Sequence, residues 1–242
     1  MKSLILAAAA TLSFWAFGPG PVEAGQVFAP PKGCTGILTV KMHGCLVSNH
    51  YTGKADPAGN KWRVDLDQDG PFFASRTNDE TEWLETFDLS AGKHSVLVHP
   101  SKKAAAFSTL LKTGYDSYDL ETKADDGSVE HVTGFDKLTG TTRKVSGIEL
   151  EQPEFETSAK DADGKLLWKS TGHEYISRRF LIFLAGSGIW QDKNGQTSYD
   201  NSPAAPILPG QPGFLNAEPE YDYNTALSDL AIPPAAVKVA LE

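Results

Sequence analysis

The sequence predicts a mainly β protein: an antiparallel meander curled into a barrel or half-barrel, with one amphipathic helix and a Pro-rich C-terminal extension. Three observations carry this. Short segments with period-two alternation recur along the chain, as in Trp62, Val64 and Leu66. Asp-Gly and Asn-Gly pairs separate several of them, at Asp69-Gly70, Asp126-Gly127, Asp163-Gly164 and Asn194-Gly195, and such pairs are the strongest short-range hairpin signal. About ten to twelve such segments against one helical pattern make a sheet of consecutive neighbours, too large to stay flat.

The elements follow in order. Residues 25–33 are a Pro/Gly-rich lead-in. Strands are expected at 37–42 and 46–50, either side of Gly44, and then around Trp62 to Leu66 after a loop on Asp56-Pro57-Ala58-Gly59. Asp69-Gly70-Pro71 turns the chain into a strand at 72–76, and further strands at 82–89 and 94–99 flank a turn at Ser90 to Lys93. The rhythm then changes. Ala104 to Ala106, Phe107, Leu110 and Leu111 recur at helical spacing. With Ser101 as N-cap and Gly114 as the stop, this predicts a helix over about 101–113, packed on the sheet by its Phe107/Leu110/Leu111 stripe. Strands resume at 115–123, 128–135, 141–150, 155–160, 165–176 and 178–191. The run Phe180 to Leu184 is apolar on both faces, so the helix or the Pro-rich tail should cover its second face.

The two ends of the chain read differently. Lys2, an apolar run from Leu4 to Phe17 and small residues up to Ala24 form a secretory signal peptide over 1–24, with cleavage expected after Ala24. The run is too short to span a bilayer. A periplasmic or secreted protein is therefore expected, with a single β-rich domain over 25–201. From 202 to 242 an extended arm follows, in which Pro203, Pro206, Pro209 and Pro212 recur with the three-residue period of a polyproline II helix. Such an arm either docks on a protein partner or lies over its own domain, with Ile207, Leu208, Phe214 and Leu215 as anchors. A short helical turn is expected at 225–230.

The formal net charge is −9. That sign argues against nucleic acid, whose phosphates need a basic stripe, and against an anionic membrane surface. No later segment is long enough for a transmembrane helix. The two cysteines, Cys34 and Cys45, form a candidate disulfide in an oxidising compartment. If the stretch between them were fully extended, the sulfurs would lie roughly 35 Å apart, so a bridge requires a bend at Gly36 or Gly44. The alternative is two free thiols.

Sequence motifs for chemistry are weak. Asp65, Asp67, Asp69 and Gly70 match the opening of a calcium loop, but Arg76 stands where a bidentate glutamate should close it, and a hairpin turn explains the same residues. Cys34, His43, Cys45 and His50 follow no zinc-ligand spacing. No serine sits in a nucleophile elbow, and no phosphate loop, haem motif or dinucleotide fingerprint is present, so neither a metal nor a cofactor is expected. Aromatic residues gather in the second half. Tyr118, Trp168, Tyr175, Phe183 and Trp190 are candidates to line a cavity for an apolar ligand, as aromatics on a curled sheet do; the alternative is that they fill the core.

Three functions remain. A binding or carrier module for a lipid or other apolar or amphipathic ligand is favoured, and its outline is similar to periplasmic half-barrel carriers of lipids or lipoproteins, an analogy of fold alone. An envelope interaction protein using the Pro-rich arm is the second. A hydrolase of envelope material is the third; an enzyme is the less favoured expectation.

Overall fold

The computed structural model describes residues 27–219. The expected signal peptide, its cleavage site, and the arm beyond residue 219 with its helical turn lie outside the described residues.

Period-two alternation and glycine turns produce thirteen strands: β1 (Cys34–Met42), β2 (Leu46–Gly53), β3 (Lys61–Asp67), β4 (Gly70–Thr77), β5 (Trp83–Asp88), β6 (Lys93–Leu97), β7 (Tyr115–Ala124), β8 (Val129–Val145), β9 (Ile148–Lys160), β10 (Leu166–Ser177), β11 (Ile182–Asp192), β12 (Gly195–Asp200) and β13 (Pro203–Ile207). One helix, α1 (Phe107–Thr113), separates β6 from β7. The strands form a single antiparallel sheet in the order β12 back to β1, with β13 added beside β1. Each strand from β1 to β12 thus pairs with its sequence neighbours, as a meander should.

The sheet does not close into a barrel. Its two edges are β12 and β13. Pro203 and Pro206 lack the N–H donors that a second ladder would use, which suits β13 to an edge. The edges are consecutive in sequence, however. At the link between them Asn201 N–H donates to Gly186 O on β11 (2.8 Å), and Ser202 O accepts from His43 N–H beyond β1 (3.0 Å). The sheet is therefore curled tightly enough for its ends to share one short segment.

The register sorts residues between two faces. Leu38 stands opposite His50, and His50 opposite Arg63; Val40 stands opposite Ser48, and Ser48 opposite Asp65. These belong to the concave interior. On the convex side of β1 and β2 lie Thr39, Val47, Asn49 and Tyr51, and the tail covers them. Asn49 Nδ2 donates to Asn216 O (2.8 Å), Thr39 Oγ1 donates to Asn49 Oδ1 (2.6 Å), and Leu215 N–H donates to Thr39 Oγ1 (2.7 Å). The described part of the arm thus pairs with, and lies over, its own domain.

The helix starts at Phe107, later than the expected 101. Lys103 instead forms an isolated antiparallel bridge with Asp119, and Ser101 Oγ donates to Glu82 rather than capping. Carboxylates from other elements supply acceptors at the helix start: Ala106 N–H donates to Asp116 Oδ2 and Ser108 N–H to Glu80 Oε2, both at 2.8 Å. Gly114 ends the helix in the left-handed region at φ 80°, its N–H returning to Leu110 O, a conformation that favours glycine. Phe107 and Leu110 are buried with Ile176, and the Phe107 ring meets Phe183 edge-on at 5.4 Å. Both faces of the apolar run in β11 are thereby covered. The helix takes Phe183, while Ile182 and Leu184 join Leu38, Val40 and Met42 in the largest core cluster, against which Leu208 of the arm also packs.

Candidate ligand cavity

Inside the curl lies a cavity of about 120 Å³, walled by residues of β2 to β5, α1 and β7 to β11. Two tyrosines build part of its surroundings, each crossing a glycine. Tyr118 on β7 passes over Gly134 on β8, and its hydroxyl lies 2.5 Å from Thr157 Oγ1 on β9. A Cβ at Gly134 would fall 2.5 Å from that hydroxyl. Tyr199 on β12 likewise crosses Gly188 on β11 and its hydroxyl lies 3.1 Å from Ser170 Oγ on β10. Thr157 and Ser170 are direct cross-strand partners. At Gly134 and Gly188 the tyrosine hydroxyl and a backbone oxygen of the neighbouring strand both come too close for any side chain.

Aromatic rings and charged groups meet in the cavity. Trp83, Phe107, Phe155, Trp168 and Phe183 contribute apolar wall. Asp116, Asp136, Glu174, His50 and Arg63 also line it. Arg63 is committed to Asp65, donating from Nε (2.8 Å) and Nη2 (2.5 Å) to the two carboxylate oxygens. Burial, reinforced by the Arg63 charge, pushes His50 down to about 3, so its ring is neutral. Asp116 is occupied by the Ala106 amide. Asp136 and Glu174 have neither a hydrogen bond nor an ion pair among the described residues. Burial, then the neighbouring Glu174 and Asp116 charges, drive Asp136 well above the carboxylate range. Burial raises Glu174 to about 7, against the opposing pull of Arg63.

The aromatic candidates separate. Tyr118, Trp168 and Phe183 line the cavity. Trp190 sits behind it, stacked on Trp168 with centroids 4.8 Å apart. Tyr175 belongs to the large core cluster, its hydroxyl accepting from Gln152 Nε2 at 3.1 Å. The interior acids were not singled out in the sequence, although the signal was present. Asp116 is in phase with Tyr118 and Leu120, Asp136 with Val132 and Gly134, and Glu174 with Trp168 and Ser170. A polar residue keeping step with an inward stripe is the mark of an interior polar group.

Cys34 opens β1 and Cys45 occupies the turn after it; both are free thiols, so the candidate bridge is not formed. Asp65 of the calcium-like stretch turns inward to Arg63, while Asp67 Oδ1 accepts from Asp69 N–H in a hairpin turn. Among the described residues no group of three or more His, Cys, Asp and Glu side chains is placed to hold a metal ion. Also among them, no helix is long and apolar enough to cross a membrane.

One arrangement resembles nucleophilic machinery: Ser48 Oγ lies 3.3 Å from His50 Nε2. Its chemistry is poor. Ser48 is almost wholly buried, His50 is a weak base, and Asp65, the carboxylate across the ladder from Ser48, is held by Arg63.

Neither a family model, nor a curated protein, nor a solved structure matches this chain.

Proposed function

We propose that the protein is an exported binding or carrier module whose half-barrel sheet holds a small amphipathic ligand in its interior cavity. One observation carries this reading: an aromatic-walled cavity lined by Asp136, buried, and Glu174, half-buried, neither of which has a hydrogen bond or ion pair among the described residues. Polar groups with little solvent access are nearly always satisfied, so two unpaired carboxyl groups at one cavity are suited to a ligand or water. The aromatic surface around them favours a ligand that also buries apolar area. The leader-like first 24 residues support export.

The test is native mass spectrometry of the mature protein taken from its native periplasm, before and after mild denaturation. A mass released on unfolding supports the reading and gives the ligand's class. A bare chain, with tryptophan fluorescence unmoved by a panel of small amphipaths, would overturn it.

A further inference from the structure

The cavity's charges point to the chemical class of its ligand. The inference rests on the binding reading above and sharpens it: we propose that the ligand is a small organic ammonium, a single protonated amine on an apolar body about the size of one ring, with its cationic group seated between Asp136 and Glu174.

The charges around the cavity favour a cation. Among the basic side chains lining the cavity, Arg63 is locked by both its hydrogen bonds to Asp65, and His50 is neutral. Lys61 donates to Gly59 O and also feels Asp79. None of them is paired with Asp136 or Glu174. Asp136 is 9% exposed, which leaves it little access to bulk solvent. An anionic ligand would meet three carboxyl groups and an arginine already satisfied. A cation would meet two acceptors lacking a partner.

The cavity wall favours a cation too. Tryptophan and phenylalanine rings attract a cation through their electron-rich faces, most strongly when water is excluded. Trp83, Trp168 and Phe155 stand around the same cavity as the two carboxyls. A neutral ligand would use these rings as apolar surface only.

An apolar cavity of roughly 150 Å³ admits benzene, so the space here, about 120 Å³, suits one ring or a body of similar bulk. Among the described residues the acids do not converge as metal ligands would, which fits an organic head group better than a bare ion. Proton balance agrees. Asp136 and Glu174 resist ionising together while the cavity is empty. A bound ammonium would stabilise both carboxylates, so binding near neutral pH should release protons to solvent.

Three isosteric probes test this: benzylamine, benzyl alcohol and benzoate, each titrated into the intact protein at pH 7. Tryptophan fluorescence and calorimetry in buffers of different ionisation enthalpy supply the readouts. The expected order is benzylamine at least tenfold tighter than benzyl alcohol, with benzoate weakest and net proton release for the amine alone. The double variant Asp136→Asn/Glu174→Gln, which relieves repulsion and keeps shape, should bind the alcohol as before and lose the preference for the amine. If benzyl alcohol or benzoate binds as tightly as benzylamine, the ammonium assignment fails while the binding reading stands. If none of the three binds and the native protein carries no ligand, both fail.

Discussion

Asp116 and Asp136 stand directly opposite each other across the β7–β8 ladder, two carboxyl groups on adjacent strands facing one interior. Like charges in that position oppose sheet pairing. The fold settles the conflict unevenly. Asp116 accepts the Ala106 amide at the start of α1 and so has a structural task. Asp136 has none, and with Glu174 it forms the part of the interior that packing does not explain.

The first prediction concerns pH. Folded Glu174 titrates at about 7 against an ordinary 4.5. Between those values the folded chain keeps a proton that the unfolded chain has lost. Its contribution is therefore most favourable below 4.5 and declines as pH rises through about 7; Asp136 acts in the same direction. His50 acts oppositely: at about 3 in the fold against 6.5, its contribution grows as pH rises from 3 to 6.5. Glu174→Gln removes one declining component and leaves the histidine's. Urea unfolding at pH 4.5 and pH 8 should show the variant gaining on the wild type between the two, by up to roughly 3 kcal/mol. Parallel curves would mean that Glu174 is not desolvated.

A second prediction tests the tyrosine crossing. In Gly134→Ala the new methyl carbon would lie 2.5 Å from both the Tyr118 hydroxyl and the Glu156 carbonyl oxygen. The ring can swing aside, but the backbone oxygen across the ladder cannot without opening β8 from β9. Overpacking of this kind costs about 1–3 kcal/mol. A melting temperature several degrees lower is expected, together with changed near-ultraviolet circular dichroism from the displaced tyrosine. An unchanged melting curve would show that Tyr118 does not cross at Gly134.

How far the sequence foretold this molecule depends on the length over which each signal acts. Hairpins such as Asp126-Gly127 and Asn194-Gly195 were legible because turn chemistry is local. The helix stop at Gly114 was legible for the same reason. Its start was not: Ser101 looks like a cap, but Glu82, nineteen residues back in sequence, claims its hydroxyl, and the true acceptors at the helix start come from Glu80 and Asp116. Failure to close was also non-local, being fixed where β13 meets β1. Of the aromatic candidates, Tyr118, Trp168 and Phe183 line the cavity. Asp136 and Glu174 were passed over among many acids, although their phase with Val132 and Trp168 set them apart.

A third prediction follows from the thiols. Cys45 is exposed in the turn after β1, and Cys34 is half-buried at the strand's far end. A strand of this length separates its ends by roughly 25–30 Å, well beyond the reach of a disulfide. The folded, unreduced protein should take up two equivalents of an alkylating reagent, Cys45 reacting before Cys34. Zero equivalents under non-reducing conditions would reveal a bridge, and with it a β1–β2 hairpin unlike this one.

The last prediction concerns what fastens the arm. Asn49 is completely buried on the convex side of β2 and binds in two directions. Its Oδ1 accepts from Thr39, whose own oxygen receives the Leu215 amide, and its Nδ2 donates to Asn216 O. One amide side chain thus joins β1, β2 and the segment after β13, with little solvent access to replace a lost bond. In Asn49→Ala the Thr39 hydroxyl loses its acceptor and the Asn216 carbonyl loses its donor. Leaving the buried Thr39 hydroxyl without its acceptor costs about 1–3 kcal/mol, and the half-buried Asn216 carbonyl loses less. The Leu38 and Val40 side chains, on the opposite face of β1, keep their packing. The loss should therefore appear first as release of the tail. Limited proteolysis should cut the variant between residues 203 and 219 well before the sheet, while the wild type resists there. Equal resistance in both would mean that strand pairing of β13 holds the arm without Asn49; simultaneous loss of arm and sheet would make the arm an integral edge of the fold.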